Sequence, residues 1–153
     1  MILEFRRKNT STTVAALSGF ESSRNLKLPI SYKQFLLTIN GGIPDDIVYP
    51  IYGMINNKYG GIQVFFGMGT LPPMPSIETI YDTYAGAIPK DIIPMADNGG
   101  GDYVCIDLRN GYERVVFWDK RPFWGTGKWR ETDLYHVADS FAGFLTSLRP
   151  SFY

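Results

Sequence analysis

Alternating apolar and polar residues predict two long β-strands in the second half of the chain, at 102–109 and 112–119. Asn110-Gly111 lies between them, and this dipeptide favours a two-residue type I′ turn because both residues tolerate positive φ. Such a turn pairs residues placed symmetrically about it, with Val104 opposite Phe117, and a one-residue slip would turn every side chain to the other face. The reverse face then pairs opposite charges and aromatic rings: Asp107 with Arg114, and Tyr103 with Trp118.

The clearest helical pattern begins just after residue 30. Ser31 and Gln34 fit a capping box with Ser31 as the N-cap, and Ile30 and Phe35 fit a hydrophobic staple. The glycines at 41–42 predict the helix end, because glycine adopts the left-handed conformation that closes a helix.

Three further helices are predicted by apolar residues at helical spacing. The first covers about 12–23, and the second is capped by Ser76 and ended by Gly86. The third follows Asp139 or Ser140, either of which can serve as its N-cap.

Three shorter strands are predicted at Ile62–Phe66, Ile92–Ala96 and Leu134–Val137. Pro94 places the middle one at a sheet edge or a β-bulge, because proline cannot donate a hydrogen bond to the ladder. Consecutive strands joined by a hairpin imply antiparallel pairing, so the expected fold class is α+β. Residues 1–10 are expected to form either a loose tail or an edge strand.

Composition places the chain among ordinary globular proteins. Its 153 residues are expected to form a single domain over 1–153, since domains average about 100–200 residues. Apolar residues make up 44% and aromatic residues 15%, which supplies amphipathic surface for a core or for a binding face.

Residue counts argue against several classes of protein. With 15 basic and 15 acidic side chains, the chain lacks the basic footprint of a nucleic-acid binder. One Cys and one His are too few for a disulfide or for a zinc site built on several such side chains, and no cofactor is expected. No apolar run reaches the roughly 18 residues of a membrane span, and the charges at 4–8 do not suit a signal peptide. A cytoplasmic location is therefore expected.

Acidic residues concentrate in the middle of the chain, where residues 40–107 carry eight Asp and Glu against two Lys. The hairpin register places Asp102 opposite Asp119 at its open end, with Asp97 just upstream. Like charges facing each other destabilise a strand pair. These carboxylates are either solvated or capping nearby amides, or they form an acidic rim beside Trp118 for a cationic group of a partner.

Residues 120–130 mix aromatic and cationic side chains, which are enriched at interface hot spots. Phe123, Trp124 and Trp129 belong to a specificity loop for a partner or to a turn that covers the sheet edge, and both alternatives stay open. A small-ligand or carbohydrate binder that uses exposed Trp118, Trp124 and Trp129 is a further hypothesis.

No set of catalytic residues stands out. Cys105 lies in the middle of a strand and is expected to be a buried, inert thiol, and His136 is expected to be structural. Gly99–Gly101 lacks the third glycine of a dinucleotide-binding motif. A glycosidase-like pair formed by Asp102 and Asp119 stays open, but the expectation is a protein that is not an enzyme.

Five segments resemble, in order, the motifs of one family: Leu28–Leu37 with Asn40-Gly41-Gly42, Phe65–Gly67, Ile93–Asp102, Val116–Asp119 and Val137–Leu145. They are similar to its L-P-x-x-Y-x-x-F-L helix followed by N-G-G, its aromatic-aromatic-glycine strand end, its I-P-I-A-x-x-G-G-G block, its strand ending in W-D, and its closing V-A-x-S-F-x-x-F-L helix. The chain thus resembles the SUKH superfamily, the Smi/Knr-like group, over about residues 14–149.

This resemblance implies an α+β domain whose curved antiparallel sheet is flanked by N-terminal and C-terminal helices. It also implies a cytoplasmic immunity protein that binds a cognate polymorphic or contact-dependent toxin domain, often a nuclease, and neutralises it. Fungal relatives imply the alternative, a regulatory or scaffolding module without a toxin. The partner is then expected to be a protein rather than nucleic acid or membrane, and the oligomeric state stays open. The residues expected to meet this partner are Asp97, Asp102, Trp118, Asp119, Phe123 and Trp124.

Overall fold

The computed structural model describes residues 3–151. Its helices are α1 Val14–Arg24, α2 Ile30–Thr38, α3 Ile77–Thr83, α4 Arg121–Thr126 and α5 Phe141–Ser147. Its strands are β1 Phe5–Lys8, β2 Gly42–Pro44, β3 Ile47–Pro50, β4 Tyr59–Gly61, β5 Val64–Phe65, β6 Ile92–Asp97, β7 Tyr103–Asp107, β8 Arg114–Trp118, β9 Leu134–Ala138 and β10 Arg149–Pro150. The predicted α+β class is confirmed.

The strands form two antiparallel sheets. The larger sheet has seven strands in the order β1-β2-β5-β6-β7-β8-β9, and the smaller has three in the order β10-β3-β4. Within residues 1–10, Phe5–Lys8 form the edge strand β1, which pairs with β2. The edge-strand alternative therefore describes this segment.

The central hairpin has the predicted register and turn. Val104 pairs with Phe117, as expected for residues placed symmetrically about Asn110-Gly111. Asn110 and Gly111 have φ of 60° and 76°, and the Tyr112 N–H donates to the Arg109 carbonyl at 3.2 Å. Positive φ at both central residues is the signature of the type I′ turn. Asn110-Gly111 therefore sets both the turn type and the register of this hairpin.

The N-cap predicted for α2 is wrong. The helix begins at Ile30, and the Pro29 carbonyl accepts the first helical hydrogen bond, from the Lys33 N–H at 3.0 Å. Ser31 therefore lies inside the first turn, and Ile30 is 72% exposed, so it forms no staple. Proline suits this position because its fixed φ is compatible with a helix start and its missing N–H costs nothing there.

The glycines after α2 serve a role other than the predicted one. The helix closes at Ile39, whose backbone is extended, so Gly41 does not cap it. A Cβ on Gly41 would lie 2.6 Å from the Phe65 carbonyl oxygen. This glycine is therefore required by the close approach of the chain to β5 and by its φ of 75°.

The proline in β6 marks a bulge rather than an edge. β6 lies between β5 and β7 in the sheet, and its register with β7 shifts between Pro94 and Ala96. A bulge accommodates the missing proline N–H inside a central strand. The N-caps of α3 and α5 are Ser76 and Ser140, which confirms the first and selects Ser140 over Asp139 for the second.

Successive side chains in a strand point to opposite sides. Both faces of the larger sheet therefore carry apolar side chains, and helices pack on both. On one face Phe35 of α2 packs 5.4 Å from Phe65 and 5.3 Å from Phe141 of α5, measured between ring centroids. On the other face Tyr103 and Trp118 are covered by residues that follow α3 and belong to α4. This second face holds the candidate site.

Candidate partner-binding face

Five aromatic side chains form a cluster where β7 and β8 meet at the open end of their hairpin. Trp118 is at its centre and has no exposed surface. Its ring centroid lies between 5.3 and 6.1 Å from the other four, each time in the edge-to-face geometry that aromatic pairs prefer. The members of this aromatic cluster are Tyr84, Tyr103, Trp118, Phe123 and Trp129.

A lysine is buried against this aromatic cluster. Lys120 is 3% exposed, and its Nζ lies 3.8 Å from the Tyr103 ring centroid and 4.6 Å from that of Tyr84. The same Nζ donates a hydrogen bond to Tyr84 Oη and lies 5.8 Å from the Trp124 ring centroid. The ion pairs formed within residues 3–151 do not include Lys120. Ring faces and one phenol therefore stabilise this ammonium group in place of a carboxylate.

Asp119 precedes Lys120 in the chain, Asp102 contacts the Lys120 backbone, and the two carboxylates have opposite environments. Arg121 donates to both carboxylate oxygens of Asp119 at 2.9 Å, which holds the pKa of Asp119 below its usual value. Asp102 accepts a hydrogen bond from the Lys120 backbone N–H at 2.8 Å. Burial raises the pKa of Asp102, and the neighbouring Asp119 charge adds to the shift. Asp102 is thus the carboxylate whose charge is less well compensated.

The glycine run before β7 forms a turn held by side-chain hydrogen bonds. Asp97 accepts a hydrogen bond from the Gly99 N–H at 2.7 Å, and the Asn98 side chain accepts from the Gly100 N–H at 2.8 Å. Gly101 has a φ of 92°, and a Cβ there would lie 2.7 Å from the Trp124 ring. Trp124 therefore rests directly on Gly101, which only glycine permits.

The predicted site residues come together in space, but they differ in accessibility. Trp124 is 55% exposed, whereas Asp97, Asp102 and Phe123 are partly exposed and Asp119 is mostly buried beneath Arg121. We call the accessible part the Trp124 face, defined as Asp97, Gly99–Gly101, Asp102, Arg121 and Trp124.

Trp118 does not lie on the surface, which corrects the hypothesis of an exposed three-tryptophan platform for sugars. It is enclosed because α4 folds back over the end of β8 and places Phe123 against its ring. The 120–130 segment thus does cover this region of the sheet, and it also presents Trp124. Its role in specificity stays a prediction.

Lys120 was not predicted as part of this site. It stands between two charged residues in the sequence, which hides it among ordinary surface charges. β8 ends at Trp118 and Lys120 is the N-cap of α4, so strand alternation gave no signal for its burial.

The profile of the SMI1 / KNR4 family (SUKH-1) matches residues 11–147. The chain belongs to the SUKH-1 family. The chain is also similar to the SPbeta prophage-derived uncharacterized protein YokK of Bacillus subtilis (strain 168), with 29% identity over 145 residues that cover 86% of this chain and 72% of that protein. The family assignment made from five short motifs is therefore confirmed.

SUKH-1 membership indicates which kinds of function the Trp124 face can serve. The family includes immunity proteins, and its members are generally immunity or regulatory proteins rather than catalysts. A surface for a protein partner is accordingly the kind of site that the family suggests.

The single cysteine of this SUKH-1 protein is buried, and its single histidine is paired. Burial raises the pKa of the Cys105 thiol, which disfavours the nucleophilic thiolate. His136 Nε2 lies 3.2 Å from Asp139 Oδ1. Within residues 3–151 no group of three potential metal ligands occurs, and no helix is long and apolar enough to cross a bilayer.

Proposed function

We propose that this SUKH-1 protein is an immunity protein that acts in the cytoplasm and neutralises a cognate toxin domain by direct, stoichiometric binding. The observation that carries the proposal is the Trp124 face. It presents a half-exposed tryptophan held against Gly101, beside the incompletely compensated carboxylate of Asp102. Membership of a family that includes immunity proteins supports the same function.

Trp124 serves as the anchor of the interface. Its ring is already fixed by Gly101 beneath it and by the Lys120 ammonium group 5.8 Å away, so binding orders few additional groups. Preorganised aromatic side chains are typical hot spots because they bury much area at small entropic cost. Trp118, Phe123 and Asp119 act beneath the surface by holding α4 in place.

Asp97 and Asp102 supply the charge that attracts the toxin. A nuclease presents basic residues around its active site because its substrate is a polyanion. An acidic face steers such a surface into contact and lies where the nucleic acid would bind. Inhibition of this kind requires no chemical step by the immunity protein.

The proposal is tested by co-purifying the protein with the toxin domain encoded by the adjacent upstream gene and measuring affinity by calorimetry. Trp124→Ala should weaken binding at least about 30-fold, the effect of losing a hot spot of about 2 kcal/mol. Tyr59→Ala is the matched control, since Tyr59 is 61% exposed and lies outside the Trp124 face. Equal affinity of the wild type and Trp124→Ala would remove this face from the account.

A regulatory module without a toxin is the second candidate, because the SMI1 / KNR4 family also includes regulatory proteins. The two candidates differ in genetic setting. An immunity gene lies next to a toxin gene and protects a cell that expresses the toxin, whereas a regulatory module would do neither.

A further inference from the structure

A cleft of about 520 Å³ lies at the turn end of the β7–β8 hairpin, the end opposite to the Trp124 face. Of the residues that line it, Asp139 alone falls within the segments that identified the family, and none belongs to the proposed interface. Its walls come from the hairpin turn, the segment before β9, β9 itself and the residue that follows it. The residues that line it are Asp107, Arg109, Asn110, Tyr112, Arg114, Glu131, His136 and Asp139.

The floor of the cleft is a fixed network of ion pairs. The Asp107 side chain is 1% exposed and accepts hydrogen bonds from Arg109 at 3.0 Å and from Arg114 at 2.9 Å. Arg109 also donates to both oxygens of Glu131, at 2.7 and 2.8 Å. Both guanidinium groups are therefore already engaged with carboxylates of this chain, which leaves little positive potential for an anion.

The carboxylates at the mouth are accessible to solvent, although both oxygens of Glu131 accept from Arg109 and Asp139 lies 3.2 Å from His136. The side chain of Asp139 is fully exposed, and that of Glu131 is 59% exposed. Arg109 holds the pKa of Glu131 below its usual value, so this carboxylate stays ionised at neutral pH. With Asp107, the cleft contains three carboxylates against two guanidinium groups.

One aromatic ring lines the cleft, and a second packs against His136 in its wall. Tyr112 lines the cleft and is 65% exposed. Tyr52 is 56% exposed, and its ring centroid lies 6.0 Å from that of His136. A cation that enters between acidic groups and ring faces gains both ionic and cation–π attraction.

We propose that this cleft receives an arginine or lysine side chain from a partner protein, with Asp139 and Glu131 as its anionic contacts and Tyr112 as its aromatic wall. The inference does not depend on the partner being a toxin. An anionic ligand is disfavoured, because it would have to lie beside Asp139 and Glu131 while the arginines stay committed to Asp107.

The test is an NMR titration of the full-length protein with the blocked tripeptide acetyl-Gly-Arg-Gly-amide at millimolar concentrations. Amide signals of Tyr112, His136 and Asp139 should shift with saturation, and the blocked Gly-Glu-Gly peptide should leave them unchanged. Asp139→Asn should weaken the arginine peptide about two- to fivefold, as expected for the loss of one exposed ion pair. This variant is expected to fold normally, because Asp139 is fully exposed and its contact with His136 is an exposed pair of small energetic value.

Two matched variants complete the test. Tyr112→Ala should also weaken the peptide, whereas Asp82→Asn should not, because Asp82 is an exposed carboxylate that pairs with Arg24 outside the cleft. Absence of shifts in the cleft, equal shifts with the glutamate peptide, or an unchanged affinity in Asp139→Asn would each overturn the proposal.

Discussion

Asp102 and Asp119 show how neighbouring residues of one type acquire different roles. Asp119 is neutralised by Arg121, so it stabilises the start of α4. Within residues 3–151 Asp102 lacks such a partner, and burial disfavours its ionised form and raises its pKa. The sequence predicted that both carboxylates lie at the open end of the hairpin, but it could not assign their environments, because these depend on how Lys120 and Arg121 turn after β8.

Asp102→Asn should stabilise the free protein at neutral pH. The pKa of Asp102 is raised above its ordinary value of 3.8 in the folded state, so ionisation costs stability as the pH rises through that range. The gain in unfolding free energy should therefore disappear by about pH 3, where the wild-type carboxyl is protonated. Urea denaturation across this pH range measures the difference, and a gain that does not vary with pH would contradict the assignment.

If Asp102 belongs to the proposed interface, the same variant should bind the toxin domain more weakly, since it removes one of the two carboxylates of the Trp124 face. Stability gained together with affinity lost is the pattern expected at a functional site. If Asp102→Asn is more stable but binds with unchanged affinity, Asp102 takes no part in the interface.

Asp107→Asn should have the opposite effect on stability. Burial favours the neutral carboxyl, but hydrogen bonds from Arg109 and Arg114 lower the pKa of Asp107 below 3.8 overall. Its contribution is therefore complete above that value and lost as the pH falls through the lowered pKa. We expect a loss of about 3 kcal/mol in unfolding free energy near neutral pH, as for a broken buried ion pair. Asp82→Asn, which opens an exposed pair, should cost less than about 1 kcal/mol.

At the scale of elements, local sequence signals predicted some features and missed others. The β7–β8 register followed from Asn110-Gly111 because the turn alone determines which residues pair. The N-cap of α2 was wrong because Ser31 satisfied a local motif while Pro29 determined where the helix starts. The position of Pro94 in the sheet was undecided because the choice between edge and bulge depends on β5, a distant strand.

Gly101→Ala tests the coupling between the glycine turn and α4. A Cβ would collide with Trp124 at 2.7 Å, and alanine is strained at a φ of 92°, so the unfolding free energy should fall by about 1–3 kcal/mol. Gly100→Ala is the matched control, because its nearest neighbour, the Asn98 side chain, lies at 3.5 Å. Denaturation with near-ultraviolet circular dichroism would report both stability and Trp124 packing. Equal behaviour of the two variants would contradict this packing.

At the scale of the whole molecule, the family could be recognised from sequence because its motifs are short, ordered and spread over most of the chain. The accessibility of the site residues could not be predicted from sequence. Trp118 and Lys120 are buried because Tyr84, just after α3, and Phe123 of α4 pack against the same end of the sheet. Trp118 and Lys120, which the sequence places in a polar and aromatic segment, are thus buried and support the Trp124 face from below.

Electrostatic steering predicts how association with the toxin responds to salt. Raising the ionic strength from about 0.05 to about 0.5 M should slow association about tenfold or more while changing dissociation little. Stopped-flow measurements would separate the two rates. An association rate independent of salt would show that Asp97 and Asp102 do not guide the encounter.

The central claim is stoichiometric inhibition by binding. It is tested most directly by titrating the purified protein into a fixed concentration of the active toxin domain and measuring residual toxin activity. The account predicts that residual toxin activity falls linearly and ends at an equimolar amount of the protein. Inhibition should be complete without delay, and activity should return when the complex is dissociated. Full toxin activity at a large molar excess, or progressive inactivation by a substoichiometric amount, would contradict it.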